Sequence, residues 1–273
     1  MIHPAAWLLW AVCTGLCALA TTNPYYLVVI MTAATFVYAR HRVAGATARA
    51  FRFFLVFGIA TIVLRTALTF ISLDPDAFLS LGIAWPGAGG LSAGVLEGAR
   101  LATLLVVYGA FNSVSEPYRL LKLAPRRFHE PALAASLAVS LAPRTIATVA
   151  RVREAQRLRG IDVKRWRALP ALAVPVLESG MEEAVTLAES MDSRGHGRGA
   201  RTRYRPDTWD ARATVITAAA IGAVVTFGAY VAGGGGGLVV STFPLVWPEA
   251  TLPLVAASAL SAVPAVVPEQ GAS

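Results

Sequence analysis

Two arginines in this 273-residue chain stand directly before a glycine at the end of a long helical pattern. The first closes a run that opens at Pro143, a good first-turn residue, and ends at Arg159 with Gly160 behind it. The second closes a run that opens near Pro175 and ends at Arg194 with Gly195 behind it. Glycine just past the last turn accepts the left-handed C-cap conformation, and a guanidinium in that turn complements the negative end of the helix dipole. An arginine held at a helix tip presents a planar fork that bonds a carboxylate on another surface through two parallel hydrogen bonds. Two matching tips predict a partner that is itself a dimer or pseudo-dimer. The second run also spaces Leu177, Met181, Ala184, Ala188 and Met191 by threes and fours, an apolar stripe with Glu178, Glu182, Glu183 and Glu189 off it.

A second group with chemical potential is Arg65, Glu97 and Arg100, which interrupt otherwise apolar stretches. Glu97 and Arg100 are three residues apart, so they share a helix face and pair locally, and Arg65 can reach Glu97 from the adjacent stretch. Ionisable groups in hydrocarbon are costly and face other protein or a water-filled cavity. Structural ion pairing is the expectation here, with a substrate path as the alternative; the absence of an intramembrane carboxylate cluster argues against a proton-driven carrier.

Other chemistry is excluded by what is missing. Lysine occurs only at Lys122 and Lys164, neither of them after a glycine, so the chain has no P-loop to hold ATP phosphates. His3, His41, His129 and His196 are scattered and do not form a His-Glu-x-x-His metal site. Glu182-Glu183 superficially resembles the Glu-Glu-x-x-x-Arg pattern of a membrane protease family, but position 187 is leucine and the match fails. Cys13 and Cys17, inside an apolar stretch, read as packing residues. No metal site and no cofactor is expected on this chain.

The elements that must position these groups follow from composition. The chain is 56% hydrophobic and 15% charged, with mean hydropathy +0.58 and formal net charge +8; soluble domains carry about a quarter charged residues. It is therefore read as an all-α polytopic membrane protein. Apolar stretches run over Ala5–Thr22, Tyr25–Ala39, Phe53–Leu73, Leu91–Phe111, Ala213–Ala232 and about Leu245–Val263. Of 24 basic residues, 22 fall in Arg40–Arg52 or Asn112–Arg212, and none in Asp74–Gly90 or Gly233–Pro244. The positive-inside rule then gives about six transmembrane helices, both termini cytoplasmic, and a cytoplasmic insert between the fourth and fifth spans. The expected organisation is four spans in 1–111, a cytoplasmic region of long helices in 112–211, and two spans in 212–273.

Details of the reading follow the same physics. Asn23-Pro24 marks the turn of a helical hairpin, and Met1–Ala6 lacks the positive charge of a signal peptide despite Ala18-Leu19-Ala20. Pro244, Pro248, Pro253 and Pro264 predict a kinked last span packed against neighbours. Within the insert, Ala132–Ala142 and Ala168–Leu177 are only about ten residues each, too short to cross a bilayer as separate helices. The basic run Ser193–Arg205 has the look of a nucleic-acid tail. Its place beside a span instead assigns it to anionic lipid headgroups, with no nucleic-acid partner.

The segments Glu154-Ala-Gln-Arg-Leu-Arg159-Gly160 and Ala188-Glu-Ser-Met-Asp-Ser-Arg194-Gly195 resemble the two Ala-Arg-Gly signatures of the transmembrane T component of energy-coupling factor (ECF) transporters. That family includes the membrane subunit of cobalt and nickel importers. The chain departs from the pattern where Leu158 and Ser193 replace the alanines. The resemblance implies a non-catalytic subunit of the cell membrane whose Arg159, Gly160, Arg194 and Gly195 contact two ABC ATPase subunits. ATP and Mg would then be bound by those partners, and the substrate, a vitamin or a transition-metal ion, by a separate membrane S component. The stripe from Leu177 to Met191 would pack on the other coupling helix or on the S component. A conventional ABC importer permease is the competing reading, on the faint Glu-Ala-Ala echo at Met181–Ala184; it needs one docking helix where this chain has two. An intramembrane enzyme is a further alternative.

Overall fold

The structure, a computed structural model, describes residues 2–41, 47–72, 87–123, 126–160, 169–196, 208–234, 236–240 and 247–267. All regular structure among them is helical: α1 (Pro4–Ala20), α2 (Pro24–His41), α3 (Thr47–Ser72), α4 (Gly87–Val114), α5 (Pro117–Leu121), α6 (His129–Leu158), α7 (Leu169–Ser193), α8 (Ala211–Ala232), α9 (Leu252–Ala259) and α10 (Val263–Val266). Short 3-10 turns at Arg126–Phe128 and Leu260–Ala262 join some of them. The chain divides into two compact units, Met1–Glu116 with Thr208–Ser273, and Pro117–Asp207.

In the first unit, prolines open α1 and α2, where a fixed φ suits the first turn and no backbone donor is lost. His3 Nδ1 accepts the Ala5 N–H (3.2 Å) and caps α1. Trp10, Tyr26, Ile30, Ile216, Phe227 and Leu254 are fully buried and bring α1, α2, α8 and α9 around one core. Ring contacts and hydrogen bonds give the direction of each helix. His3 meets Trp209 at one end (centroids 5.0 Å) and Trp7 meets His41 (5.3 Å). Tyr38 stacks on Phe51 at 3.8 Å, so α3 starts where α2 stops. At the opposite end Thr21 Oγ1 donates to Leu238 O (2.7 Å), and Asn23 Nδ2 donates to Gly237 O (2.7 Å) and Glu249 O (2.8 Å). The chain returns to the first end through His41, whose Nε2–H donates to Pro264 O (2.7 Å). α1, α3 and α8 therefore run one way, and α2, α4 and α9–α10 the other. Ile2, Arg40, Arg49, Arg52, Trp209 and Val267 share one end.

The last apolar stretch is broken as its prolines predict. Residues 247–251 are not helical, Pro253 sits in the first turn of α9, and the 3-10 turn separates α9 from α10. Carbonyls near the break are taken up by other helices: Trp10 Nε1–H donates to Ser261 O (2.9 Å), alongside the His41 bond to Pro264.

The α3–α4 contact rests on a row of small residues. A Cβ on Gly94 would lie 2.9 Å from Thr66 Cα, one on Gly98 2.7 Å from Ile62 Cα, and one on Gly109 2.8 Å from Phe54 Cβ. Gly58 of α3 faces Ala102 in the same way, at 3.4 Å. As sequence numbers rise on α4 they fall on α3, so the pair is antiparallel with backbones in close approach, as in small-xxx-small membrane interfaces.

In the second unit two expectations are corrected. α6 starts at His129 and carries Pro143 inside it, and α7 starts at Leu169 and carries Pro175 inside it, so neither proline opens its helix. A proline in a helix interior removes one hydrogen bond and costs about 3 kcal/mol; the alanine- and leucine-rich turns of Ala132–Ala142 precede Pro143, and the helix continues through it to Leu158. Ala132–Ala142 is consequently not a separate short helix. By length and composition Glu130–Leu158 is as capable of crossing a membrane as Arg49–Thr69, Leu91–Val114 and Ala211–Ala232, whereas Pro4–Ala20 and Leu252–Val266 are shorter apolar helices.

Gly98→Val is expected to force α3 from α4 and destabilise the first unit by about 1–3 kcal/mol, the usual cost of overpacking. Gly228→Ala, with no atom within 4 Å of the added Cβ, leaves stability unchanged or slightly raised. Melting of detergent-solubilised protein, followed by size-exclusion chromatography after heating, distinguishes the two.

Candidate functional site

The two arginine tips are built by the same backbone turn. At the end of α6, Arg159 N–H bonds Ala155 O (3.2 Å), Gly160 N–H bonds Arg157 O (3.0 Å), and Gly160 has φ +75°. At the end of α7, Gly195 N–H bonds Asp192 O (2.8 Å), His196 N–H bonds Met191 O (3.0 Å), and Gly195 has φ +76°. The latter pair of bonds is a complete Schellman motif. Nothing lies within 4 Å of a Cβ built on either glycine, so the requirement for glycine is the positive φ alone. Arg159 and Arg194 are exposed, and Leu158 beside the first is 86% exposed.

Their separation follows from how α6 and α7 pair. Gln156, buried at the end of α6, donates Nε2–H to Ala171 O (3.0 Å) at the start of α7, next to buried Leu172. Arg144 meets Glu183 at 3.3 Å further along. The helices are thus antiparallel, and the first tip lies beside the start of α7. From Ala171 to Arg194 is about 23 residues, or about 35 Å of helix. Between the helices an open polar groove of about 490 Å³ is lined by Arg144, Thr148, Arg151, Ser179, Glu182 and Glu183.

The apolar stripe lies away from α6. Leu177 is 65% and Met181 70% exposed, Ala184 and Ala188 are exposed, and Met191 is half-buried. Within this chain the stripe does not pack on α6. The reason is angular: at 100° per residue the α6-facing row of Leu172, Ser179 and Glu183 is on the opposite side of α7. Val174 and Val185, both exposed, extend the stripe.

Glu97 and Arg100 come within 3.6 Å on α4, each partly exposed. Arg65 is exposed on α3 and joins no ion pair among the described residues. No group of three or more His, Cys, Asp or Glu among the described residues is placed to hold a metal ion. Sequence reasoning missed Gln156, Arg144 and the glycine row of α4. A helical wheel of α6 puts Arg144, Thr148 and Arg151 on one polar side with Gln156 well round from them, and the glycine row was visible as Gly94-x-x-x-Gly98.

Helices long and apolar enough to cross a membrane, in a chain without strands among its described residues, define a helical membrane protein. The family model described as "Cobalt transport protein", CbiQ, matches residues 1–204, and the chain belongs to that family. Among curated proteins it is similar to the energy-coupling factor transporter transmembrane protein EcfT of Bacillus selenitireducens, 28% identical over 63% of this chain and 69% of the relative. The protein of the same name from Streptococcus thermophilus is 28% identical over 46% of this chain and 50% of the relative. That from Bacillus subtilis is 27% identical over 47% of this chain and 55% of the relative. The chain thus spans about half to two thirds of the length of these relatives.

Gly195→Ala is expected to raise amide exchange in the last turn of α7, since a left-handed L-residue costs about 1–2 kcal/mol. Gly180→Ala, inside the same helix with open space around it, lowers exchange there by up to about 1 kcal/mol of added helix stability. Hydrogen-exchange mass spectrometry of peptides covering α7 reads both changes.

Proposed function

We propose that this chain is the transmembrane T component of an ECF-type ABC importer, with α6 and α7 of the 112–211 region as its coupling helices. The observation that carries the proposal is the pair of exposed, glycine-capped arginines at opposite ends of α7, tens of ångströms apart. A single docking site needs one such tip. Two separated tips suit two ATPase subunits, with Arg159–Gly160 on one and Arg194–Gly195 on the other, each guanidinium bonded to a carboxylate on its ATPase. The curated relatives named as energy-coupling factor transmembrane proteins, and the family membership, support the same reading.

The chain itself is non-catalytic and binds no cofactor; ATP and Mg are held by the ATPases. When these close on ATP the tips are displaced, and a helix transmits the push along its length because its backbone bonds resist compression. The contact between α6 and α7 is polar and open, held at Gln156 and Arg144, so the helices shift against one another without breaking a packed core. The stripe of Val174, Leu177, Met181, Val185 and Ala188 carries that shift to an S component, which holds the vitamin or transition-metal ion. With arginines gathered at one end of the first unit, the positive-inside rule orients that end, the insert and residues 2 and 267 toward the cytoplasm of a multi-pass cell-membrane protein.

Arg159→Glu combined with Arg194→Glu is expected to abolish association with the nucleotide-binding subunits, while the chain still inserts into membranes. Each single change should leave partial recovery. Affinity purification from membranes co-expressing candidate ATPases measures it, and equal recovery of two ATPases with the double variant contradicts the docking role.

A further inference from the structure

The charged cluster of the first unit is not balanced by the described chain. Glu97 Oε2 and Arg100 Nη1 are 3.6 Å apart with side chains 39% and 28% exposed. Arg100 Nε is buried without a hydrogen-bond partner among the described residues. Arg65 is exposed and has no ion pair among them. The antiparallel register of Gly94 with Thr66 and Gly98 with Ile62 puts Arg65 and Glu97 at neighbouring levels. At 100° per residue both are displaced to the same flank of the α3–α4 seam. Two guanidinium groups thus stand near one carboxylate, which pairs with Arg100 alone, and leave an excess of positive charge in a span. An unmatched cation in hydrocarbon is costly and marks a place where a partner group is expected.

Depth selects the partner. Arg100 is about 13 residues, roughly 20 Å of helix, from either end of α4, beyond the reach of a snorkelling side chain to a headgroup phosphate. Arg65 is nearer the end of α3, and a lipid phosphate serves it alone. A carboxylate on a neighbouring membrane helix serves both arginines. Phe57, Leu68 and Leu101 on the same flank are 52%, 49% and 40% exposed and supply an apolar rim for such a helix. We infer that this flank of α3 and α4 docks a partner transmembrane helix bearing a carboxylate near its middle, which completes the Arg65–Glu97–Arg100 cluster. The inference stands on the cluster alone and is independent of the tip docking proposed above.

The test uses the full chain in phosphatidylcholine vesicles with a fluorescent synthetic helix of leucine and alanine carrying one glutamate near its centre, and a twin carrying glutamine. Energy transfer should report association about tenfold tighter for the glutamate helix than for its twin, the scale of a close charge pair. This comparison needs no change to the chain, so it stands whatever a variant does to folding. Arg65→Gln with Arg100→Gln should erase the preference, and Arg65→Lys with Arg100→Lys should keep it. Equal binding of the two helices, or a preference that survives the glutamine variant, overturns the inference. So does a preference that disappears when phosphatidylglycerol is added, which assigns the cations to lipid phosphate.

Discussion

The absence of water in the bilayer governs this structure. A backbone or side-chain polar group inside a span must find its partner within the protein, and the first unit is organised around those partners. Where prolines break the last stretch, Trp10 and His41 reach across from α1 and α2 to take Ser261 O and Pro264 O. Where α1 turns into α2, Thr21 and Asn23 bond the carbonyls of Leu238, Gly237 and Glu249. These bonds tie the first hairpin to the last one at both ends of the bundle. Since lipid tails are as apolar as leucine, burial from water cannot drive helix pairing within the layer. Close backbone approach along the glycine row of α4 replaces it.

The same constraint explains why the working surfaces lie where they do. Arginine is tolerated in bulk only outside the hydrocarbon, so the basic residues collect at one end of the first unit and in the second unit. There the chemistry reverses: exposed cations cost little and are available to partners. A glycine with φ near +75° ends each long helix within one turn and leaves the preceding arginine at its extreme tip. Helix length does the rest, setting the tips tens of ångströms apart. The stripe on α7 faces away from α6 because the polar row of the helix, with Glu183, is engaged there.

Much of this was legible in the sequence because it is local. The hairpin at Asn23-Pro24, the broken last stretch, the basic insert and both glycine caps each depend on residues within a few positions of one another. What was not legible depends on contacts between distant segments or on competition between local rules. Pro143 and Pro175 read as helix starts by position preference, yet apolar turns ahead of each proline already belong to α6 and α7, which run on through them. Gly94 and Gly98 show their four-residue spacing in the sequence, but which helix they meet appears only when Thr66 and Ile62 are brought against them. The register of α6 on α7 is held by Arg144 with Glu183 and by Gln156, whose partner is a backbone carbonyl and so leaves no side-chain signature.

The central claim is that the two tips engage two separate nucleotide-binding subunits. Site-specific photo-crosslinking tests it most directly, with a photoreactive residue at position 159 and, in a second protein, at position 194, in membranes that contain the assembled transporter. The account predicts that each position joins the chain to an ATPase subunit, and that a chain carrying both forms a product with two of them. Crosslinking of only one position to an ATPase, or of neither in an assembly that retains ATP-driven uptake, would contradict it.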